Sequence, residues 1–236
     1  MTTPGAPLAH GLVLAVDGTS GSGKSSTCRG AAERLGLAYL DTGAQFRAVT
    51  WWMLEHGVDV HDPDAVAARA GEPTLVSGTD PLNPTIHVDG VDVAVEIRTQ
   101  RVTDAVSPVS TVPAVRARLL ELQRQIIAEA REGAGIVVEG RDIGSVVAPD
   151  APVKLYLTAD PEARAARRAA EQGSADAAAL AATRASLLDR DRIDSGRATA
   201  PLTLAEGAVH LDTTPFSLDE VVAQVVALAE AVGAGA

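Results

Sequence analysis

With a single cysteine, Cys28, this 236-residue chain cannot close an internal disulfide, which fits a reducing cytoplasm and leaves Cys28 as a small buried side chain. Positive charge is also scarce. Asp and Glu number 31 against 20 Lys and Arg, a formal net charge of -11. That balance argues against nonspecific nucleic-acid binding and against docking on an anionic membrane. No apolar run approaches membrane-spanning length, and residues 1–10, expected to be a flexible N-terminus, carry no cationic stretch followed by an apolar core. A soluble, cytoplasmic protein is the expectation, with neither nucleic acid nor membrane as partner. The five histidines are scattered singly without metal-ligand spacing, and His210 is read as structural. No repeat of solenoid length is visible. What remains is 46% hydrophobic, enough for one sizeable core with a small appended subdomain, and a monomer is expected.

Lysine is the rarest cation, with Lys24 and Lys154 against eighteen arginines, so the setting of Lys24 carries information. It stands in Gly18-Thr19-Ser20-Gly21-Ser22-Gly23-Lys24-Ser25, the phosphate-loop pattern G-x-x-x-x-G-K-[ST]. The apolar run from Leu12 to Val16 before it reads as a buried strand, and Ser25 to Leu35 continues as a helix. Glycines let consecutive N–H groups face one anion, and the helix N-terminus adds partial positive charge. A nucleoside triphosphate is the expected ligand. Residues Gly18 to Ser26 would form its cradle, Lys24 would reach the β and γ phosphates, and the Ser25 hydroxyl would ligate Mg²⁺.

Downstream, Leu37 to Leu40 reads as a second strand, followed by Asp41-Thr42-Gly43 and a helix whose Phe46, Val49, Trp52 and Met53 are core. Residues 58–97, with Pro63, Pro73, Pro81 and Pro84 and a hairpin-like Ile86 to Val91, read as a small, partly β insert. Pro113 opens a long helix to about Glu132. Strands return at Ile136 to Val138, Val153 to Leu157 and Val209 to Leu211. Between Glu162 and Arg192, Gly173 and Ser174 split an Ala- and Arg-rich stretch into two helices, and Ser217 caps a last helix that frays from Gly233. Strands alternating with helices after a phosphate loop imply a three-layer α/β/α domain with a parallel sheet of about five strands, residues 11–57 and 98–236 forming its core.

A phosphate loop alone does not name the acceptor. Phosphoryl transfer spreads negative charge over the transferring group, and arginine forks match phosphate oxygens. Arg47, Arg141, Arg164, Arg167, Arg168, Arg190 and Arg197 follow strand ends or lie in late polar segments. Asp41-Thr42-Gly43-Ala44-Gln45-Phe46-Arg47, Glu96-Ile97-Arg98-Thr99, Val138-Glu139-Gly140-Arg141-Asp142-Ile143-Gly144 and Arg190-Asp191-Arg192-Ile193-Asp194-Ser195-Gly196-Arg197 occur in the order of bacterial cytidylate kinases. Over residues 12 to 230 the chain resembles that family.

The resemblance implies ATP plus CMP, or dCMP, giving ADP and CDP or dCDP. It places Thr42, Arg47, Arg141 and Arg197 on the acceptor nucleotide, with the three arginines on its phosphate, and adds Lys24 and Arg190 to the catalytic set. Ser107, Arg116 and Asp142 match positions that read cytosine, whose C4 amino donor and N3 and O2 acceptors complement a carboxylate and a guanidinium. Asp194 matches a sugar contact. Residues 162–182 match a lid that brings Arg164, Arg167 and Arg168 toward ATP. Phe46 departs from the family's tyrosine and removes a hydroxyl near the acceptor phosphate. An already ionised phosphate acceptor needs no general base, so Asp142 is assigned to recognition.

Plainer readings stand beside these. Arg164, Arg167 and Arg168 at helical spacing also suit a solvated face, Arg141 and Asp142 a surface ion pair, and Ser107 and Arg116 a helix entry and a helix surface. Glu139 either acts through water on Mg²⁺ or closes a strand end. Another P-loop kinase, for a different nucleoside monophosphate or for a hydroxyl metabolite, is the alternative, and a hydroxyl acceptor would require a base such as Asp142. A guanine-type switch lacks its Asn-Lys-x-Asp motif, since neither lysine sits in one.

Overall fold

The computed structural model describes residues 10–172, 177–197 and 199–233. The expected disorder of residues 1–9, the Gly173-Ser174 break and the fraying beyond Gly233 lie outside the described residues. Strand β1 (Leu12–Gly18) is buried along its whole length, as a parallel strand covered on both faces must be. It leads through the glycine loop into α1 (Lys24–Leu35). Then come β2 (Ala38–Asp41) and α2 (Thr42–Glu55), capped by Asp41, whose carboxylate accepts the Ala44 N–H at 2.9 Å.

The next segment contains α3 (Pro63–Arg69) and the strands β3 (Leu75–Ser77), β4 (Ile86–Val88) and β5 (Val91–Asp92), which pair antiparallel as β3-β4-β5. The chain continues through α4 (Gln100–Thr111), α5 (Pro113–Arg131), β6 (Gly135–Glu139), β7 (Val153–Thr158), α6 (Pro161–Gln172), α7 (Ala177–Gly196), β8 (Val209–Asp212) and α8 (Leu218–Gly233). The main sheet has the order β2-β6-β1-β7-β8 and is parallel throughout.

Three apolar clusters hold these layers together. On one face of the sheet, Cys28, Ala31 and Ala32 of α1 meet Leu14, Val16 and Leu155, with Val222, Val225 and Ala229 of α8. On the other, Ile127 of α5 covers Val13, Ala15, Ile136 and Val138. The third cluster joins Val49, Trp52 and Met53 of α2 to Val66, Ile86, Val88, Val109, Val115 and Leu119. The β-containing insert thus shares its core with α2, α4 and α5.

Two helices go beyond the sequence reading. α3 lies inside the insert, where Pro63 occupies a first-turn position and Asp62 accepts the N–H groups of Asp64 and Ala65. α4 runs through Pro108, whose ring forfeits one helical hydrogen bond while Val102, Ala105 and Val109 stay buried. The expected cap at Ser217 is present as a reciprocal pair, its N–H donating to Glu220 Oε2 at 2.8 Å.

Candidate active site

The loop after β1 can take its path only with glycine at its start. Gly18 has φ 149°, and a Cβ there would lie 2.0 Å from the Leu157 carbonyl oxygen. From this start the chain curls so that α1 begins at Lys24, whose Nζ donates back to the carbonyls of Gly18 at 2.9 Å and Thr19 at 2.7 Å. Burial, with Arg141 nearby, pulls the Lys24 ammonium well below its ordinary range. The adjacent end of β6 brings Glu139, which burial pushes up and which accepts the Tyr39 hydroxyl. Thr19 Oγ1 and Ser22 Oγ are buried and have no hydrogen-bond partner among the described residues.

Facing the loop is a cleft of about 580 Å³ whose far wall is drawn from α2, α4, α5, the turn after β6, and α7. Thr42 donates to the Glu139 carbonyl at 2.7 Å, fastening the start of α2 to the end of β6. Arg47 donates to the Ile97 carbonyl and to Thr103 Oγ1, each at 3.0 Å. Its guanidinium is pulled down to about 10 by burial and then by Arg190, Arg98 and Arg168. Arg190 donates to the Thr103 carbonyl at 2.7 Å and is likewise lowered by burial, Arg141 and Arg168. Such crowding of cations is costly by itself and is relieved by an anion among them.

Arg141 Nε meets Asp194 Oδ2 at 2.8 Å while its Nη1 donates to the Gly18 carbonyl at 2.9 Å. Arg197 lies 3.5 Å from the same Asp194, and its Nε and Nη2 are buried with no partner among the described residues. Deeper in, Arg116 and Asp142 form a buried ion pair, Arg116 also donating to the Ser110 carbonyl at 3.1 Å and stacking 5.4 Å above the Phe46 ring. Burial pushes the Asp142 carboxyl up, while Arg116 and Arg197 pull against it. Ser107 lines the cleft one turn before Ser110.

Of the three arginines expected to face ATP from a lid, Arg167 and Arg168 line the cleft and Arg164 does not. Arg167 donates to Thr213 Oγ1 at 2.9 Å and to the Thr213 carbonyl at 2.8 Å. Arg164 is instead buried behind the loop, donating to the Ser20 carbonyl at 2.9 Å and pairing with Asp191. Three residues that the sequence reading passed over belong to the site's frame. Asp17 accepts the N–H groups of Ile143 and Gly144, Asp191 accepts the Ser20 N–H, and Thr213 donates to the Ser22 carbonyl. For Asp17 a signal existed, as the only charge in the apolar stretch before the loop, and Asp191 stands inside the Arg190–Arg197 motif; for Thr213 none did.

The site thus has the glycine-rich phosphate-loop turn on one wall and, opposite, an arginine cluster beside a buried Arg–Asp pair. The cytidylate kinase family model matches residues 14–231. Curated proteins named cytidylate kinase are similar over most of the chain. The one from Streptomyces coelicolor is 58% identical over 235 residues, covering 100% of each chain. That from Streptomyces avermitilis is 56% identical over 219 residues, covering 93% of each. A third, from Rhodococcus opacus, is 50% identical over 219 residues, covering 91% of this chain and 93% of its own. A phosphate loop opposed by a cluster of arginines, and similarity running the length of the chain, lead to one conclusion: this chain belongs to the cytidylate kinase family.

Proposed function

We propose that the chain transfers the γ-phosphoryl group of ATP to CMP, and also to dCMP, yielding ADP and CDP or dCDP. The observation that carries this reading is the buried Arg116–Asp142 pair set beside the arginine cluster and across the cleft from the phosphate loop. ATP lays its phosphates along residues 18–26, where Lys24 exchanges two loop carbonyls for phosphate oxygens. Arg167 and Arg168 flank this half of the cleft.

On the acceptor side, Arg47, Arg141 and Arg197 take the CMP phosphate, with Arg190 adding charge between the two nucleotides. Asp194, joined to both Arg141 and Arg197, sets their spacing and reaches the ribose. Asp142 accepts from the cytosine amino group while Arg116 and Ser107 donate to its ring acceptors. Uracil reverses two of those groups and would leave buried partners unpaired. The attacking phosphate oxygen is already ionised, so positioning and cationic clamping supply the catalysis and no side chain removes a proton.

The residues present suit Mg²⁺: the Ser25 hydroxyl at the loop and the Glu139 carboxylate beside it are hard oxygen donors. These two would hold the ion, which neutralises charge on the β and γ phosphates when bound.

ADP formation from Mg-ATP with CMP, dCMP, UMP, AMP and GMP, and with Lys24→Ala as control, tests the reading. Turnover with CMP and dCMP that is lost in the variant is the expected result; turnover with none of the five would leave the acceptor misassigned.

A further inference from the structure

Both backbone polar groups of Ser20, in the middle of the phosphate loop, are held by side chains that do not line the cleft. Its N–H donates to Asp191 Oδ1 at 2.9 Å, its carbonyl accepts from Arg164 Nη1 at 2.9 Å, and Arg164 and Asp191 pair with each other. The three residues close a ring. Arg164 is only 4% exposed and comes from α6, whereas Asp191 comes from α7, far along the chain. Neither faces the space where nucleotides would lie.

One turn further on α7, Asp194 holds Arg141, which donates to the Gly18 carbonyl. Residues 191 and 194 share a helix face, so α7 grips the loop at two points, Ser20 directly and Gly18 through Arg141. α6 and α7 also press on the residue after Ser20, since a Cβ on Gly21 would lie 3.3 Å from Arg164 Cβ and 3.4 Å from Leu187 Cδ1.

A phosphate loop binds its anion with peptide N–H groups, and its affinity depends on how each peptide plane is turned before the ligand arrives. Fixing both the N–H and the C=O of Ser20 fixes the two peptide planes that meet there. We infer that Asp191 and Arg164 are positioning residues for ATP, holding the phosphate loop in its binding shape from behind. A buried ion pair is a poor source of net stability, because desolvation offsets its attraction, so the pair is better explained by the geometry it imposes. The inference rests on the proposed kinase reading only for the identity of the donor nucleotide.

Two double variants separate positioning from simple packing. Asp191→Leu with Arg164→Met removes both charges and both bonds to Ser20, leaving no lone buried charge. Asp191→Asn with Arg164→Gln removes the charges but keeps an acceptor for the Ser20 N–H and a donor for its carbonyl. The probe is the non-hydrolysable β,γ-imido analogue of ATP with magnesium, followed by calorimetry, together with the KM values for ATP and CMP. The apolar pair is expected to weaken analogue binding and raise the ATP KM on the order of ten- to a hundredfold, as for a misplaced reacting group. The CMP KM should stay within about threefold, and the polar pair should recover most of the loss.

An apolar pair that binds the analogue within about twofold of the unaltered protein would overturn the inference. So would a polar pair that recovers nothing. Should the apolar pair fail to melt cooperatively, amide exchange at Ser20 in the unaltered protein decides: a protected amide supports the clamp, and exchange at the rate of an open peptide refutes it. Analogue binding needs no acceptor, so a failure to phosphorylate CMP would sink the acceptor assignment and leave this test intact.

Discussion

Asp17 Oδ2 accepts the backbone N–H of Gly144 at 2.8 Å. Its other oxygen takes the N–H of Ile143 at 2.7 Å, so one buried carboxylate joins the end of β1 to the π-helical turn Ile143–Val147 behind Arg141 and Asp142. The phosphate loop and the turn after β6 are tied together by that side chain. Burial, with a smaller push from Asp142, raises the Asp17 carboxyl to about 6, against the pull of its two N–H partners and Lys24.

The sign of the pH effect follows. Because the folded pKa lies above the unfolded one, the native state binds more protons between about pH 4 and 6, and stability falls as pH rises through that window. Relative to Asp17→Asn, which does not titrate, the protein should lose roughly 2 kcal/mol between pH 4 and 7 and stay level above. Urea unfolding of both proteins at several pH values checks this, and parallel curves would contradict it. Turnover should move the opposite way, declining below about pH 6 as the protonated carboxyl loosens the acceptor loop.

Asp142→Asn should narrow the preference for CMP over UMP. An amide at this position can turn either group toward the base, so the CMP-to-UMP ratio of kcat/KM is expected to shrink by about ten- to a hundredfold. An unchanged ratio would remove Asp142 from base reading. If Asp142 were instead a base for a hydroxyl acceptor, kcat would collapse with little change in acceptor KM.

Phe46 provides a ring face beneath Arg116 where a tyrosine would add a hydroxyl. Phe46→Leu keeps the apolar volume and loses the ring, so Arg116 should be held less firmly, at a cost of about 1 kcal/mol in stability. The CMP KM should rise a fewfold with the ATP KM steady, since Phe46 lies on the acceptor wall. Equal rises in both would place its effect elsewhere.

At Gly140, a Cβ would lie 2.6 Å from both Thr42 Oγ1 and Ile143 Cδ1. Gly140→Ala should therefore break the Thr42 bond to Glu139 or displace the turn carrying Arg141, costing about 1–3 kcal/mol and most of the activity. A variant with unaltered melting temperature and turnover would show that the junction yields freely.

Much of this was legible in the sequence because it is written locally. The apolar run, glycine loop and helix around Lys24 depend on neighbours a few residues away, as do Pro113 opening α5 and the Ser217–Glu220 pair capping α8. α4 carries no such local signal: Pro108 sits inside it because the buried Val102, Ala105 and Val109 outweigh one missing hydrogen bond. Arg164, Arg167 and Arg168 share one spacing signature and meet three surroundings: behind the loop, against Thr213 and on the cleft wall. Helical periodicity cannot tell which arginine turns inward. Asp17 and Asp191 were passed over for a related reason, their partners standing 126 and 171 residues away.

The strand that seats the phosphate loop has an unusual dependence on the far end of the chain. Among the described residues β1 pairs with β6 and β7 and β2 with β6, so no partner strand of the main sheet for either begins before Gly135. During synthesis at about 5–20 residues per second, β1 would wait roughly ten seconds for its first neighbour. A fragment ending before Gly135 would carry the entire glycine-lysine signature and still lack the parallel sheet that presents it.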